Sequence, residues 1–206
     1  MRPIDQKIYL ASKSPRRREL LRQIGVEFEL LMLRENTARG PDVNEDPLPG
    51  ETPQTYVERV TRSKLQFSTQ VMVWRKLPPR PVLAADTTVA IGGVILGKPA
   101  NAEQAAVMLR QLAGRTHQVF TSVALQFDES YWQTTQCSEV TFTPMSDEEI
   151  QAYCQLQEPY DKAGGYAVQG QAARFISVIN GSYSGIMGLP LHETAQLLRK
   201  AGVRLP

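Results

Sequence analysis

A cluster of positive charge stands where the sequence predicts the start of the first helix. Ser14 is a favoured N-cap residue, Pro15 is a favoured first helical residue, and three arginines follow at positions 16–18. A helix N-terminus already carries partial positive charge and free N–H groups, so three more cations destabilise it unless an anion binds there. The segment therefore predicts a phosphate site, with Ser12 beside it. The alternative is three arginines that point into water.

A single carboxylate, Asp86, interrupts the apolar run VLAADTTVAI at positions 82–91 and is followed by Thr87. A buried carboxylate is costly unless it is ion-paired, hydrogen-bonded or bound to a cation. With a metal and phosphates nearby, Asp86 would be a metal ligand or the base that activates water. The alternative is a structural aspartate that caps a turn at the end of the strand.

A lysine lies next to the apolar face of the second predicted helix. Tyr56, Val60 and Lys64 recur at four-residue spacing, which places them on one face of a helix. Lys64 is then either an anion ligand or a lysine whose stem covers apolar surface while its ammonium reaches water.

A glycine-rich loop at positions 158–170 carries a carboxylate and a cation side by side, Asp161 and Lys162. Glycines allow the backbone to approach a ligand closely, and the pair would place a metal ligand next to a phosphate-binding cation. Lys98, in the tripeptide GKP, is a weaker candidate for the same role. The sequence contains no Walker A motif, and no GxGxxG motif follows a predicted strand. The charged segments therefore predict a cleft for a polyphosphate and a divalent metal rather than a known phosphate loop.

Helical and strand-like segments alternate along the chain, and hairpins are predicted among them. This order predicts an α/β fold in which helices flank a mixed sheet. The polar stretch at 34–51 is long for a loop in a compact domain and is expected to border a site. The predicted helices lie at 15–24, 53–67, 101–113, 146–156 and 191–201, and the predicted strands at 7–12, 26–33, 82–91, 94–99, 117–127, 132–143 and 174–179.

Composition excludes several classes of protein. The chain has 206 residues, of which 42% are hydrophobic, which fits one globular domain or two closely joined lobes. A net charge of +2 is too small for wrapping duplex nucleic acid, and no segment resembles a membrane span or a secretory signal, so a cytoplasmic protein is expected. Two cysteines, at 137 and 154, predict buried free thiols, and two histidines leave oxygen ligands for any metal.

Six motifs in order resemble those of the Maf-like nucleotide pyrophosphatases: ASKSPRR, AADTTV, GKP, GRTHQVFT, EPYDKAGGYAVQG and NGSYSGIMGLPL. The resemblance covers nearly the whole chain. It implies a single domain over residues 1–206, with an elongated, two-lobed α/β fold related to the inosine triphosphate pyrophosphatases, a central nucleotide cleft, and a homodimer.

The resemblance also implies roles for residues. It makes Asp86 the proton acceptor for the attacking water, and it places the choice of base and the phosphate contacts at nearby cleft positions. The implied substrate-binding and specificity residues are Ser12, Ser14, Arg16, Arg17, Lys64, Thr87, Lys98, Lys162 and Gln169. The implied ligands of a Mg²⁺ or Mn²⁺ cofactor are Glu35, Asp86 and Asp161, although the family's usual acidic stretch here reads Arg34-Glu35-Asn36-Thr37.

The same motifs imply a substrate. SPRR, ADT and QG resemble the subgroup that cleaves dTTP and UTP to a monophosphate and pyrophosphate, a house-cleaning reaction on nucleotides. The subgroup that acts on 7-methyl-GTP tends to have SPWRR, SDQ and EG. Two other functions stay open: a non-catalytic nucleotide-binding regulator of septum formation, and a nucleic-acid-binding module, which would need aromatic residues among its basic ones.

Overall fold

The structure is a computed structural model that describes residues 6–32 and 42–206. Seven strands and six helices follow one another in these residues, together with three short 3₁₀ turns. The strands are β1 Ile8–Leu10, β2 Phe28–Leu30, β3 Val82–Ile91, β4 Val94–Leu96, β5 Thr116–Phe127, β6 Ser130–Phe142 and β7 Ile176–Asn180. The helices are α1 Pro15–Gln23, α2 Pro53–Trp74, α3 Ala102–Leu112, α4 Asp147–Cys154, α5 Tyr183–Ile186 and α6 Leu191–Lys200. The 3₁₀ turns are Glu158–Asp161, Ala163–Gly165 and Gln171–Phe175.

All seven strands form one mixed sheet in the order β2-β1-β3-β5-β6-β7, with β4 paired to β3. β1 runs parallel to β2 and β3, whereas the other pairs are antiparallel. The predicted α/β fold with a mixed sheet and helices around it is confirmed. Both predicted hairpins are present, as β3–β4 and β5–β6.

Helices cover both faces of the sheet because side chains alternate between the faces along each strand. Leu83 and Ala85 of β3 lie in the cluster that packs against α1 and α6, whereas Val82 and Ala84 lie in the cluster that packs against α2. A third cluster fills the other end of the molecule, where Val89 and further strand residues meet α3 and α4. The core is therefore built in separate clusters along one sheet.

The edge of β3 is open at its centre. β5 pairs with one edge of β3 over Val82–Ala90, so β1 and β4 share the other edge. β1 pairs at Val82 and Leu83, and β4 pairs from Val89 to Ile91. Among the described residues no strand pairs with the stretch 84–88 on that side, and Asp86 lies in its middle. Asp86 is therefore in the interior of a strand and does not cap a turn.

Local capping signals predicted the helix starts. The side chain of Ser14 accepts a hydrogen bond from the backbone N–H of Arg17, with Pro15 at the first helical position. Ser146 and Glu149 form the full capping box expected for α4. The Asn101 side chain caps α3, but the Gln104 side chain accepts from Ala100 rather than completing the box.

Several boundaries differ from the prediction. α2 runs to Trp74 rather than Phe67, because buried Ser68 and Val71 continue its inner face and the Ser68 hydroxyl bonds to the carbonyl of Lys64. β7 begins at Ile176, because a 3₁₀ turn occupies 171–175. The predicted loop at 180–190 contains the short α5. Of the two free cysteines, Cys154 is buried, but Cys137 is exposed on β6, so that part of the prediction was wrong.

No helix in the described ranges has both the length and the apolar character that a bilayer span requires.

A histidine of β5 is buried next to the aromatic rings of Phe142 and Tyr166. His117 is 2% exposed, its Nε2 lies 2.7 Å from the Tyr166 hydroxyl, and its Nδ1 has no hydrogen-bond partner among the described residues. Burial lowers the pKa of His117 from 6.5 to about 4. The imidazole is therefore neutral in the folded protein near neutral pH.

His117 should make the free energy of unfolding depend on pH. Between the unfolded and folded pKa values the unfolded chain binds a proton that the folded chain does not, so the free energy of unfolding should fall as pH drops from about 6.5 to about 4. Chemical denaturation of His117→Gln at several pH values should show a shallower fall than the wild type. His192→Gln, an exposed position, is the control. Equal slopes for wild type and His117→Gln would contradict this source.

Candidate active site

A cleft of about 760 Å³ opens along the unpaired centre of β3. Its wall combines the start of α1, one face of α2, the β4 turn, the glycine-rich loop and the segment after α5. Every predicted site residue within the described ranges lines it: Ser12, Ser14, Arg16, Arg17, Lys64, Asp86, Thr87, Lys98, Asp161, Lys162 and Gln169. Glu35 lies outside the described residues.

An ion-paired carboxylate forms the floor of the cleft. Asp86 is 8% exposed, and its Oδ1 accepts a hydrogen bond of 2.6 Å from Nζ of Lys64 on α2. The same ammonium lies 2.9 Å from Oε1 of Glu45. One lysine therefore joins a strand carboxylate to a loop carboxylate, and its ammonium is not directed into water.

Lys64 carries a positive charge in the folded protein. Burial lowers the pKa of Lys64, but the negative charges of Asp86 and Glu45 and the hydrogen bond to Asp86 outweigh it, so the pKa lies above its ordinary value. Lys64 thus stays protonated and supplies a fixed positive charge next to Asp86.

Arg17 connects three walls of the cleft. Its Nε donates to the carbonyl of Gly188 at 2.7 Å, and its two terminal nitrogens donate to the hydroxyls of Ser12 at 3.2 Å and Thr87 at 3.3 Å. Desolvation by burial lowers the pKa of Arg17 below its ordinary value. Solvent-exposed arginines, the alternative considered for this cluster, do not describe Arg17, whose guanidinium orients the residues around it.

The side chain of Thr87 is fixed by neighbouring donors and acceptors. It receives a hydrogen bond from Arg17, and the hydroxyl of Thr121, opposite it on β5, lies 3.0 Å away. Thr121 is also 2.7 Å from the carbonyl of Gly185. With Arg17 as a donor to Thr87, the hydroxyl proton of Thr87 is available to Thr121 or to a bound molecule.

Arg16 faces the glycine-rich loop across the cleft. Its Nη1 lies 3.6 Å from Oδ2 of Asp161, whose Oδ1 accepts from Lys162. Nζ of Lys162 also donates to the carbonyl of Glu158 at 2.8 Å. Burial raises the pKa of Asp161, but the hydrogen bond and charge of Lys162 and the charge of Arg16 outweigh it, so the pKa is lowered. Asp161 is therefore neutralised by two cations.

One glycine sets the loop against the sheet. Gly164 has φ +71°, and a Cβ there would lie 2.9–3.1 Å from the side chain of Val89 on β3. Its N–H donates to the carbonyl of Gly97 at 3.0 Å. Because Gly97 precedes Lys98, this contact joins the GKP turn to the loop that carries Lys162.

Lys98 and Gln169 are exposed on the cleft wall, and neither has a hydrogen bond or an ion pair within residues 6–32 and 42–206. Their polar groups are available to a bound molecule.

The family model described as Maf-like protein matches residues 7–201 of this chain. The chain belongs to the Maf-like family. Its relatives include three proteins named dTTP/UTP pyrophosphatase. The protein from Aromatoleum aromaticum is 53% identical, with 100% of both chains covered. The one from Nitrosospira multiformis is 50% identical, with 98% of both covered, and the one from Dechloromonas aromatica is 48% identical, with 96% of this chain and 98% of that protein covered.

The solved structure of the Staphylococcus aureus Ham1 protein aligns with 66% of this chain and covers 71% of its own, at 12% identity and a TM-score of 0.42.

A divalent metal would find oxygen ligands in this Maf-like cleft. Glu45 and Asp86 are brought together by a single ammonium, whereas Asp161 is already paired with two cations. No group of three or more His, Cys, Asp or Glu side chains suited to a metal occurs in the described ranges. Mg²⁺ is commonly bound by one or two carboxylates together with phosphate oxygens of the substrate. The donor set therefore fits such an ion bound together with a nucleotide.

Sequence reasoning missed Glu45. It lies in the long polar stretch that was expected to border a site, but that stretch contains several acidic residues, among them Glu35 and Asp46. The position of Glu45 in the sequence does not indicate that its carboxylate lies 2.9 Å from Nζ of Lys64.

Proposed function

We propose that this Maf-like protein is a nucleoside triphosphate pyrophosphatase that hydrolyses dTTP and UTP to the monophosphate and pyrophosphate. The observation that carries the proposal is the buried Asp86–Lys64 pair at the floor of a cleft whose rim carries Arg16, Lys98 and Lys162. A base beside a row of cations suits attack of water on a polyphosphate. The names of the three relatives support the reaction and the substrates.

In the proposed mechanism, Asp86 accepts a proton from water. Its Oδ1 is bonded to Lys64, which leaves Oδ2 for that proton. The water oxygen forms a bond to the α-phosphorus as the bond to the bridging oxygen breaks, and the leaving group departs as pyrophosphate. Arg16, Lys98 and Lys162 stabilise the charge that develops on the phosphate oxygens.

The proposal includes a divalent cofactor, Mg²⁺ or Mn²⁺, held by Asp86, Glu45 and phosphate oxygens. When bound, it supplies positive charge that favours pyrophosphate as a leaving group. Glu35 and Asp161 stay further predicted ligands. Asp161 would have to exchange at least one of its cationic partners to serve.

For the choice of base we propose Arg16, Thr87 and Gln169. Gln169 can donate and accept on one amide, as recognition of the uracil or thymine edge requires, and Thr87 is oriented by Arg17. Ser12, Ser14 and Arg17 shape the phosphate end of the site. A single domain with two lobes, a homodimer and a cytoplasmic location stay predictions that come from the resemblance and the composition.

Product analysis tests the function. The purified protein is incubated with Mg²⁺ or Mn²⁺ and with dTTP, UTP, CTP, 7-methyl-GTP or ITP, and pyrophosphate is separated from phosphate. We expect pyrophosphate and monophosphate from dTTP and UTP. Preference for 7-methyl-GTP would overturn the substrate, and binding without cleavage of any nucleotide would favour the regulator.

A further inference from the structure

Two side chains of α2 hold the loop segment that carries Glu45. The Tyr56 hydroxyl donates to the carbonyl of Glu45 at 2.9 Å. Arg59, three residues later on the same helical face, donates through Nη1 to the carbonyl of Asn44 at 3.3 Å and through Nη2 to that of Asp46 at 2.9 Å. Three consecutive backbone carbonyls are thereby fixed to one helix.

A carboxylate completes this arrangement from the other end of the loop. Arg59 forms a two-point ion pair with Glu51, with Nε 2.7 Å from Oε1 and Nη2 2.9 Å from Oε2. Glu51 also accepts from the N–H of Leu48 at 3.0 Å. The guanidinium lies over the Tyr56 ring at 5.6 Å. The pKa of Tyr56 is raised to about 12, mainly by burial of the hydroxyl, so the hydroxyl remains a donor at neutral pH.

The loop needs this support. The segment 42–51 contains no helix or strand, and the Glu45 side chain is 45% exposed, so its ion pair with Lys64 is too weak to order the loop alone. Arg59 is not among the residues that line the cleft. Its guanidinium donates to the backbone carbonyls of Asn44 and Asp46 and to the Glu51 carboxylate.

We infer that Arg59 is a positioning residue that sets the carboxylate of Glu45 beside Lys64 and Asp86. The inference rests on the proposed function for one step only, namely that Glu45 is a ligand of the divalent cofactor. Partners that orient a metal ligand commonly change metal affinity about 10- to 100-fold when they are removed. Loss of Arg59 should therefore raise the metal concentration that the reaction needs more than it lowers kcat at saturating metal.

The chain offers a matched control on the same helix. Arg62 is exposed one turn further along α2, and its Nε donates to the Tyr131 hydroxyl at 3.3 Å. Arg59→Met removes every guanidinium donor to the loop and leaves the Tyr56 hydroxyl in place, whereas Arg62→Met removes the same charge elsewhere. Tyr56→Phe removes the hydroxyl bonded to Glu45 and keeps the ring.

Hydrogen exchange tests the loop without any reaction. In the full-length protein without nucleotide, Arg59→Met should speed exchange of the hydrogen-bonded amides of Asp46 and Leu48 at least 10-fold, and Tyr56→Phe should do so to a smaller extent. Arg62→Met should leave this segment like the wild type, and the Tm values of Arg59→Met and Arg62→Met should agree within a few degrees. Unchanged exchange in Arg59→Met would overturn the positioning role, whether or not the protein cleaves nucleotides.

The metal step is tested by a double-mutant cycle. Mg²⁺ and Mn²⁺ titrations of pyrophosphate release should give about a 10-fold higher half-saturating concentration for Arg59→Met than for Arg62→Met. In the Glu45→Gln background, Arg59→Met should have no further effect on this concentration, because Arg59 acts through Glu45. Additive effects would overturn the inference, as would a lower kcat with an unchanged metal requirement. Absence of pyrophosphate release from the wild type would instead contradict the proposed function.

Discussion

Replacing Asp86 with Asn should lower kcat for pyrophosphate release from dTTP about 10²- to 10⁴-fold, while the dissociation constant of the nucleotide changes by only a few fold. A positioned base commonly contributes a factor of this size, and the amide has nearly the same shape but does not accept the proton from water. Lys64 keeps its ion pair with Glu45 in this variant, so its ammonium stays charged and in place. The measurement is single-turnover and steady-state kinetics alongside calorimetric binding.

A chemically identical change elsewhere serves as the control. Asp128 lies in the exposed turn between β5 and β6 with φ +50°, a conformation that asparagine tolerates. Asp128→Asn should leave kcat, binding and Tm like those of the wild type. If Asp86→Asn retained full turnover, Asp86 would not be the base. If it lost nucleotide affinity as strongly as turnover, the carboxylate would act mainly in binding.

The local elements could be predicted because short-range signals determine them. Ser14 with Pro15 and Ser146 with Glu149 place helix starts through contacts within four residues of each other. Alternation of β-branched residues likewise placed β5 and β6. The C-terminal end of α2 was predicted too early, at Phe67. No residue at 67 or 68 stops a helix, and the last turns of α2 are stabilised by packing on distant strands, which local signals do not show.

The residue types of the candidate site could also be predicted, but their partners could not. Charged residues at the ends of elements indicated a polyphosphate cleft, and each predicted position in the described part of the chain lines one cleft. The pairing of Lys64 with Asp86 depends on how α2 crosses β3, and Arg17 reaches Gly188 across 171 positions. Such contacts depend on tertiary packing, and the spacing of residues along one sequence does not reveal them.

The loop around Glu45 could also be predicted only in part. Its length indicated a functional segment, but length does not say which acidic side chain faces the cleft. Tyr56 and Arg59 hold the backbone carbonyls of Glu45 and Asp46, yet in the sequence they looked like ordinary residues of an amphipathic helix. A helix that supplies both Lys64 and the supports of the loop thus builds one wall of the site.

Replacing Lys64 with Met should have the second large effect, and unlike Asp86→Asn it should damage both turnover and binding. The ammonium lies 2.6 Å from Asp86 and 2.9 Å from Glu45, so its loss leaves two neighbouring carboxylates without their shared counter-charge. Removal of one such preorganised charge commonly costs about 10²- to 10³-fold in kcat.

The exposed Lys200→Met at the end of α6 is the matched control, and it should leave kcat and nucleotide binding unchanged. Lys64→Arg should rescue little, because a planar guanidinium does not reproduce one compact charge between two carboxylates. Near-normal kcat in Lys64→Met with only a raised KM would assign Lys64 to phosphate binding alone.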